Sequence, residues 1–268
     1  MKRVERLLQV APLWEQGLGL SEISKILSIS TSYTCILLDE LYGKDREYRH
    51  IYKRRVFTLN ETFFENIDNE EKSYFFGLLA ADGNLSTSQN SVRIGLHEKD
   101  KEILETFRRC LNYTKPLVYI KKSSTDWNRS NQYLLEISST IFRKTLEKHG
   151  LTPNKSSTLK FPATLLLNVA HHYIRGYFDG DGCIHIDKRN HAGISIAGSL
   201  VFCENLKSIL EIFNIRSSIT KHYKANCYYV RSFGQSNILQ FYNFMYKDAT
   251  IFLNRKKEIF ETWKHKQK

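Results

Sequence analysis

The chain lacks the marks of a secreted or membrane-spanning protein. No run of 18 or more apolar residues occurs, so no membrane helix and no membrane partner are expected. The opening MKRVERLLQV has no apolar stretch of the kind a secretory signal needs. An intracellular location, in cytoplasm, nucleoid or an organelle, is the expectation. Cysteine is sparse and odd in number: Cys35, Cys110, Cys183, Cys203 and Cys227, with no Cys-x-x-Cys. Neither a disulfide framework nor a zinc ribbon is indicated, and the five read as small buried apolar side chains. Acidic residues are also short, 28 against 40 Lys and Arg, which leaves a net charge of +12. Such an excess favours a polyanionic partner, nucleic acid first.

What is present is a repeat. Tyr74 to Gly83 reads YFFGLLAADG and Tyr173 to Gly182 reads YIRGYFDGDG, at a constant offset of 181 − 82 = 99 residues. Gly77 falls on Gly176, Leu78 on Tyr177, Ala81 on Gly180, Asp82 on Asp181 and Gly83 on Gly182. Small residues and one acid keep register while the apolar positions drift, which marks a duplicated structural unit. Gly77 and Ala81 are four apart, as are Gly176 and Gly180, so each helix would present a smooth stripe for close approach of the other. The final glycine suits a left-handed cap, with the acid held at the helix end. Two acids there oppose the helix dipole and each other. Divalent metal would relieve the conflict, and Mg²⁺ takes one or two carboxylates with water and phosphate oxygens.

FFGLLAADG and IRGYFDGDG resemble the two signature motifs of single-chain LAGLIDADG homing endonucleases, a resemblance that spans roughly residues 60–265. It implies an α+β fold: two pseudo-twofold-related αββαββα repeats forming a saddle for double-stranded DNA, in a monomer. It also implies a Mg²⁺-dependent staggered double-strand break at a long site, with Asp82 and Asp181 as metal ligands. A basic residue on the third strand of each repeat would assist: Lys221 in the second, and Lys121 or Lys122 in the first, where the 99-residue offset selects Lys122. Ala80 stands where the second copy has Asp179, at an acid position the family does not use for metal. Two other readings stay open: a transcription regulator of this fold without cleavage, and an RNA-binding intron maturase.

Before the repeats, residues 1–41 read as three short helices with Val4, Leu7, Leu8, Leu13 and Trp14 as a first apolar stripe. Ser21 is the expected cap of the next helix, carrying Ile23, Ile26 and Leu27; Ser28 to Ser30 make a turn, and Tyr33, Ile36, Leu37 and Leu41 mark a third helix. The pattern resembles a helix-turn-helix, with Thr31, Ser32 and Thr34 placed for base or phosphate contact. A plain three-helix packing unit is the competing reading, since that last helix has no Arg or Lys. A basic, tyrosine-rich linker follows at 42–59, including Arg54 and Arg55.

The first repeat, 60–149, opens with Asp68 as expected cap and Glu71 completing a capping box; a connector at 150–163 holds two of the four prolines, and the second repeat runs 164–268. Each repeat replays helix, hairpin, helix, hairpin, helix. Period-2 alternation gives each sheet a packed and a polar face. The DNA-facing candidates are Arg93, His97, Lys121, Lys122, Arg129, His185, Lys188, Arg189, Lys221, Lys224 and Arg231. His171 and His172 lack a partner at metal-ligand spacing and read as interface or surface residues.

Overall fold

The computed structural model describes residues 3–16, 18–43, 57–122 and 130–267. The chain divides into two compact units, 1–58 and 59–268. Most of the basic linker, with Arg54 and Arg55, and the loop holding Arg129 lie outside the described residues.

Among the described residues the first unit holds three helices: α1 (Arg3–Glu15), α2 (Leu20–Ile26) and α3 (Thr31–Tyr42). Ser21 does not cap α2. Gly19 does, its N–H donating to Glu22 Oε2 at 2.8 Å, because a carboxylate three residues on reaches that amide without help from a hydroxyl. Ser30 caps α3 by accepting from the Tyr33 N–H at 3.1 Å. The core is Val10, Trp14, Ile23, Leu37 and Leu38, with Leu7, Leu13, Leu27 and Tyr33 at its margin. Val4, Leu8, Ile26, Ile36 and Leu41 are exposed. Of the expected α1 stripe, Trp14 is in the core and Leu7 and Leu13 pack at its margin, whereas Val4 and Leu8 are exposed and Val10 takes the buried place.

In the second unit, α4 (Glu70–Asp82) leads into β1 (Gly83–Leu85), β2 (Ser91–His97), α5 (Lys101–Cys110), β3 (Val118–Ile120), β4 (Gln132–Ser138) and α6 (Thr140–Lys148). The same order returns as α7 (Ala170–Asp181), β5 (Gly182–Ile186), β6 (Ala192–Gly198), α8 (Leu200–Ile212), β7 (Ser218–Lys221), β8 (Tyr228–Phe233) and α9 (Gln235–Tyr246), with α10 (Asn254–His265) added. Each repeat holds a four-stranded antiparallel sheet, of order β1-β2-β4-β3 and β5-β6-β8-β7. This is the two-repeat LAGLIDADG α+β fold. The helix side of the first sheet buries Val92, Ile94, Leu96, Leu135 and Ile137 against Phe64, Phe76, Phe107 and Phe142. In the second, Phe178, Phe241, Phe260 and Trp263 fill the corresponding space.

Three local expectations are corrected here. Asn69, not Asp68, caps α4, accepting from Lys72 N at 3.0 Å, while Asp68 forms an ion pair with Lys72 at 2.8 Å. Leu165 to Asp181 reads in the sequence as one motif helix, but the helix starts at Ala170 after a 3-10 turn over Leu167–Val169. Of the cysteines only Cys203 is buried, and Cys183 is exposed.

Candidate functional site

The motif helices α4 and α7 meet backbone to backbone. A Cβ on Gly77 would sit 2.1 Å from Tyr173 O, and a Cβ on Gly176 would sit 2.0 Å from Tyr74 O. These reciprocal contacts are the signature of an internal twofold, in which the same patch meets itself. Further along, a Cβ on Gly180 would lie 2.4 Å from Ala81 Cβ and 2.9 Å from Asp82 Oδ2. The Asp82 carboxylate thus overlies the other helix. Ser73 Oγ adds a hydrogen bond to Val169 O across the same seam, at 2.7 Å.

Asp82 and Asp181 are the last residues of their helices, and each helix passes straight into a strand. The following glycines are not left-handed: Gly83 has φ −71° and Gly182 φ −88°. Space, not dihedral freedom, demands glycine there, since a Cβ on Gly83 would be 2.4 Å from Leu79 O and one on Gly182 would be 2.2 Å from Phe178 Cδ2.

Both acids are open to solvent, yet two helix ends and two strands converge behind them. That crowding, with the charge of Asp181 next, pushes the Asp82 pKa up to about 6. Crowding also raises Asp181, opposed by Lys155, the Tyr177 hydroxyl and Lys256. Two solvent-reachable carboxylates that resist ionising together form a donor set that a hard divalent cation would complete.

Two buried lysines stand beside them, and neither was singled out from the sequence. Lys155, in the 3-10 turn of the connector, donates to Gly83 O. Lys256, on α10, donates to Phe178 O at 2.5 Å and Gly182 O at 2.6 Å. Each ammonium thereby binds main-chain carbonyls around the C-terminal end of a motif helix, where a cation also meets the negative end of the helix dipole. Burial lowers the pKa of Lys155 against the pull of Asp181 and Asp82, and brings Lys256 down to about 8. A signal existed: 256 − 155 = 101, close to the motif offset of 99.

Lys122 and Lys221 are not brought to the acids. Both are exposed, and β3 and β7 lie at the sheet edge opposite β1 and β5, three strand spacings or about 14 Å away. The cations that act on Asp82 are Lys256, Lys155 and Arg255.

The other candidates scatter over the outward surfaces. Arg93 pairs with Glu136, its Nε donating to Oε1 at 2.6 Å, and Lys115 holds the second carboxylate oxygen at 3.2 Å. Direct cross-strand register makes that pair, which a linear reading cannot show. His97 Nδ1 accepts from Lys99 N at 3.1 Å. His185 lies over Gly193 and beside Phe233. Lys121, Lys188, Arg189 and Lys224 are exposed, and Arg231 lies over the Tyr229 ring at 5.3 Å. In the first unit Thr31 and Ser32 are exposed, whereas Thr34 is fully buried and its hydroxyl donates to Ser30 O at 3.1 Å. Thr34 has no face to offer a ligand.

A buried polar chain ties the end of the protein to the start of α4. Arg175, on α7 and fully buried, donates to Glu70 Oε1 at 2.5 Å, Met245 O at 2.7 Å and Ile251 O at 2.8 Å. Glu70 also accepts from the Thr250 and Ile251 amides at 2.8 and 3.0 Å. Asp179 Oδ2 accepts from the Tyr74 hydroxyl and the Leu253 amide, both at 2.8 Å. The acid absent from the first motif therefore anchors the segment that delivers Lys256. Arg175 Nη1 also donates to His172 Nδ1 at 2.9 Å. A guanidinium can only donate, so the proton of neutral His172 sits on Nε2. That tautomer leaves His172 no lone pair for a metal, although His171 and Asp248 lie close by.

A LAGLIDADG-like domain description matches residues 69–150 and 168–245. The structure is similar to the homing endonuclease I-WcaI bound to its DNA recognition sequence, with TM-score 0.54, 14% identity, and coverage of 82% of this chain and 96% of that one. It is similar also to the I-LtrWI LAGLIDADG homing endonuclease bound to target DNA (TM-score 0.50, 15% identity, 75% and 90% coverage). Full-length DUF199/WhiA from Thermatoga maritima aligns with TM-score 0.49 at 18% identity, over 79% and 67%. At such identities the likeness to the first two speaks for the fold alone. A comparison with curated protein sequences gave no match. Matched along both of its repeats, the chain belongs to the LAGLIDADG-like family.

Proposed function

We propose that this protein is a site-specific DNA endonuclease that makes a Mg²⁺-dependent staggered double-strand break. The observation that supports it best is the pairing of Asp82 and Asp181 at one junction, open to solvent and backed by Lys155 and Lys256. The two carboxylates would hold the metal, and Mg²⁺ bound there would activate water and stabilise the leaving oxygen on each strand. Lys155 and Lys256 keep positive charge beside the acids, so negative charge building on the scissile phosphates is met by fixed cations. The two sheets extend the surface outward over the duplex, where Lys121, Lys188, Arg189 and Lys224 would meet phosphates. Affinity should then fall steeply with salt.

Incubating the full chain with a random duplex library, with Mg²⁺ or with chelator, and sequencing the new ends tests this reading. Recurrent ends that vanish in chelator are expected; ends that recur equally in chelator, or none at all, contradict it.

A pH dependence follows from Asp82. Its carboxyl holds a proton below about 6 in the metal-free protein, and only the ionised form binds metal, so the Mg²⁺ requirement rises as pH falls. Between pH 6 and pH 5 the ionised fraction of Asp82 falls about fivefold, and the Mg²⁺ concentration for half-maximal cutting should increase by about the same factor. A requirement unchanged over that interval would remove Asp82 from the metal site.

A further inference from the structure

The two sheets present unlike outward faces. Residues directly opposite in antiparallel register share a face, so Gly95, Leu134 and Val118 form one outward row of the first sheet, and His97, Gln132 and Ile120 the next. A Cβ on Gly95 would meet Gln132 Oε1 at 3.4 Å and Leu134 Cδ1 at 3.7 Å, which puts both side chains on that face. Val118 is 44% and Ile120 46% exposed, and Leu134 is half-buried. The neighbouring row, Asn84, Arg93 and Glu136, is closed on itself by the Arg93–Glu136 ion pair.

The second sheet can be matched rung for rung, because Gly83 opposite Ile94 corresponds to Gly182 opposite Ile196. Ala197, Tyr229 and Thr220 stand where Gly95, Leu134 and Val118 stand in the first, and Arg231 stands where Glu136 does. The first face carries an apolar strip, Val118, Leu134 and Ile120, beside polar His97 and Gln132, with the Arg93 charge paired off. On the matching rungs the other offers hydroxyls and an arginine, with exposed Phe233 further along, opposite Gly193.

The charge of the protein chooses what covers the apolar rows. A chain of net charge +12, with exposed Lys121 and Lys122 directly after β3, attracts a polyanion there. The apolar group that duplex DNA displays in its major groove is the thymine C5-methyl, and that groove admits a two-stranded ribbon such as β3–β4. We propose that Val118, Leu134 and Ile120 form a specificity surface that reads thymine methyl groups in the half-site bound by the first repeat. Thymine is then expected at the neighbouring positions this strip covers in that half-site. In the other half, Arg231 faces a base edge for which guanine is the matching partner. This rests on the reading of the chain as a DNA endonuclease.

The test uses the full chain. Duplexes retained from a random library are sequenced, and thymine is then replaced by uracil, which removes only the methyl, at each enriched position. Thymine enriched at two or three neighbouring positions of one half-site is expected, with about a fourfold loss of affinity for each buried methyl removed. In Leu134→Ser and Val118→Ser the penalty for uracil should disappear at the same positions, while the salt dependence of binding stays unchanged. Binding without thymine enrichment, or with no penalty for uracil in the unsubstituted protein, overturns the inference and leaves the endonuclease reading standing. That result is also the one expected if another protein covers the strip. Failure to retain any duplex overturns both.

Discussion

Asp82→Asn and Asp181→Asn should each abolish double-strand cutting while DNA binding persists. Asparagine keeps the size and shape of the side chain, so the seam is not disturbed, including the close approach of Asp82 to Gly180. What disappears is one of the two negative charges. A carboxylate that holds a catalytic cation contributes several kcal/mol to the transition state, and at 1.36 kcal/mol per tenfold the rate should drop by at least about a thousandfold. Binding should hold or tighten, because one negative charge facing phosphates has been removed. The two variants need not be equal: Asp82 overlies the opposite helix, whereas Asp181 has the Tyr177 hydroxyl against it. A nicking assay alongside a gel-shift assay reads both effects. Unchanged cutting by either variant removes that acid from the site.

Arg175→Met should produce the largest loss of stability. Arg175 is completely buried and serves Glu70, Met245 O, Ile251 O and His172 at once, and its guanidinium lies over the Tyr74 ring at 5.4 Å. Methionine fills part of the volume but leaves two main-chain carbonyls without their donor. Breaking a buried, hydrogen-bonded ion pair costs about 3–5 kcal/mol, which for a unit of this size lowers the melting temperature by roughly 10 °C. The damage should reach the site as well. Thr250 to Leu253 are held by Glu70 and Asp179, and the helix that follows carries Lys256. Thermal denaturation followed by circular dichroism measures the effect, and a melting temperature within about 2 °C of the unsubstituted protein would contradict it.

The parts of this arrangement that were legible in the sequence are those set by local shape. Gly77, Ala81, Gly176 and Gly180 recur because two backbones touch there, and Asp82 and Asp181 recur beside them, so the repeat and its acids could be read directly. Hairpins were legible from alternation, which placed β1 beside β2 and β3 beside β4. The central pairing of β2 with β4 joins residues about 40 apart, Arg93 with Glu136 among them, and no periodicity encodes it. That pairing sends β3 and β7 to the sheet edge, which is why Lys122 and Lys221 fall away from the acids. Lys155 and Lys256 escaped notice for the opposite reason: they act through main-chain carbonyls that exist only once the helices have ended. Asp179 looked like a stray acid in one motif. Its function is set by Leu253, 74 residues later.

Helix starts show the same division. At α2 and α4 the residue one or two positions from the expected cap won, because capping depends on which group reaches the free amide. In the first unit Trp14 of the expected stripe is buried, but Val4 and Leu8 gave way to Val10, since a short helix buries one face and a short apolar pattern fits more than one rotation.

In the proposed reaction two acids, one from each repeat, cut opposite strands with the help of a shared junction. Its most direct measurement is strand-resolved mapping of the breaks: each strand of a recovered target is labelled separately, and both are followed with Mg²⁺ and with chelator. One fixed position per strand, a constant stagger across the minor groove, and loss of both cuts in chelator are expected. Cuts at scattered positions, a single strand cut at completion, or breakage that persists without metal would contradict it.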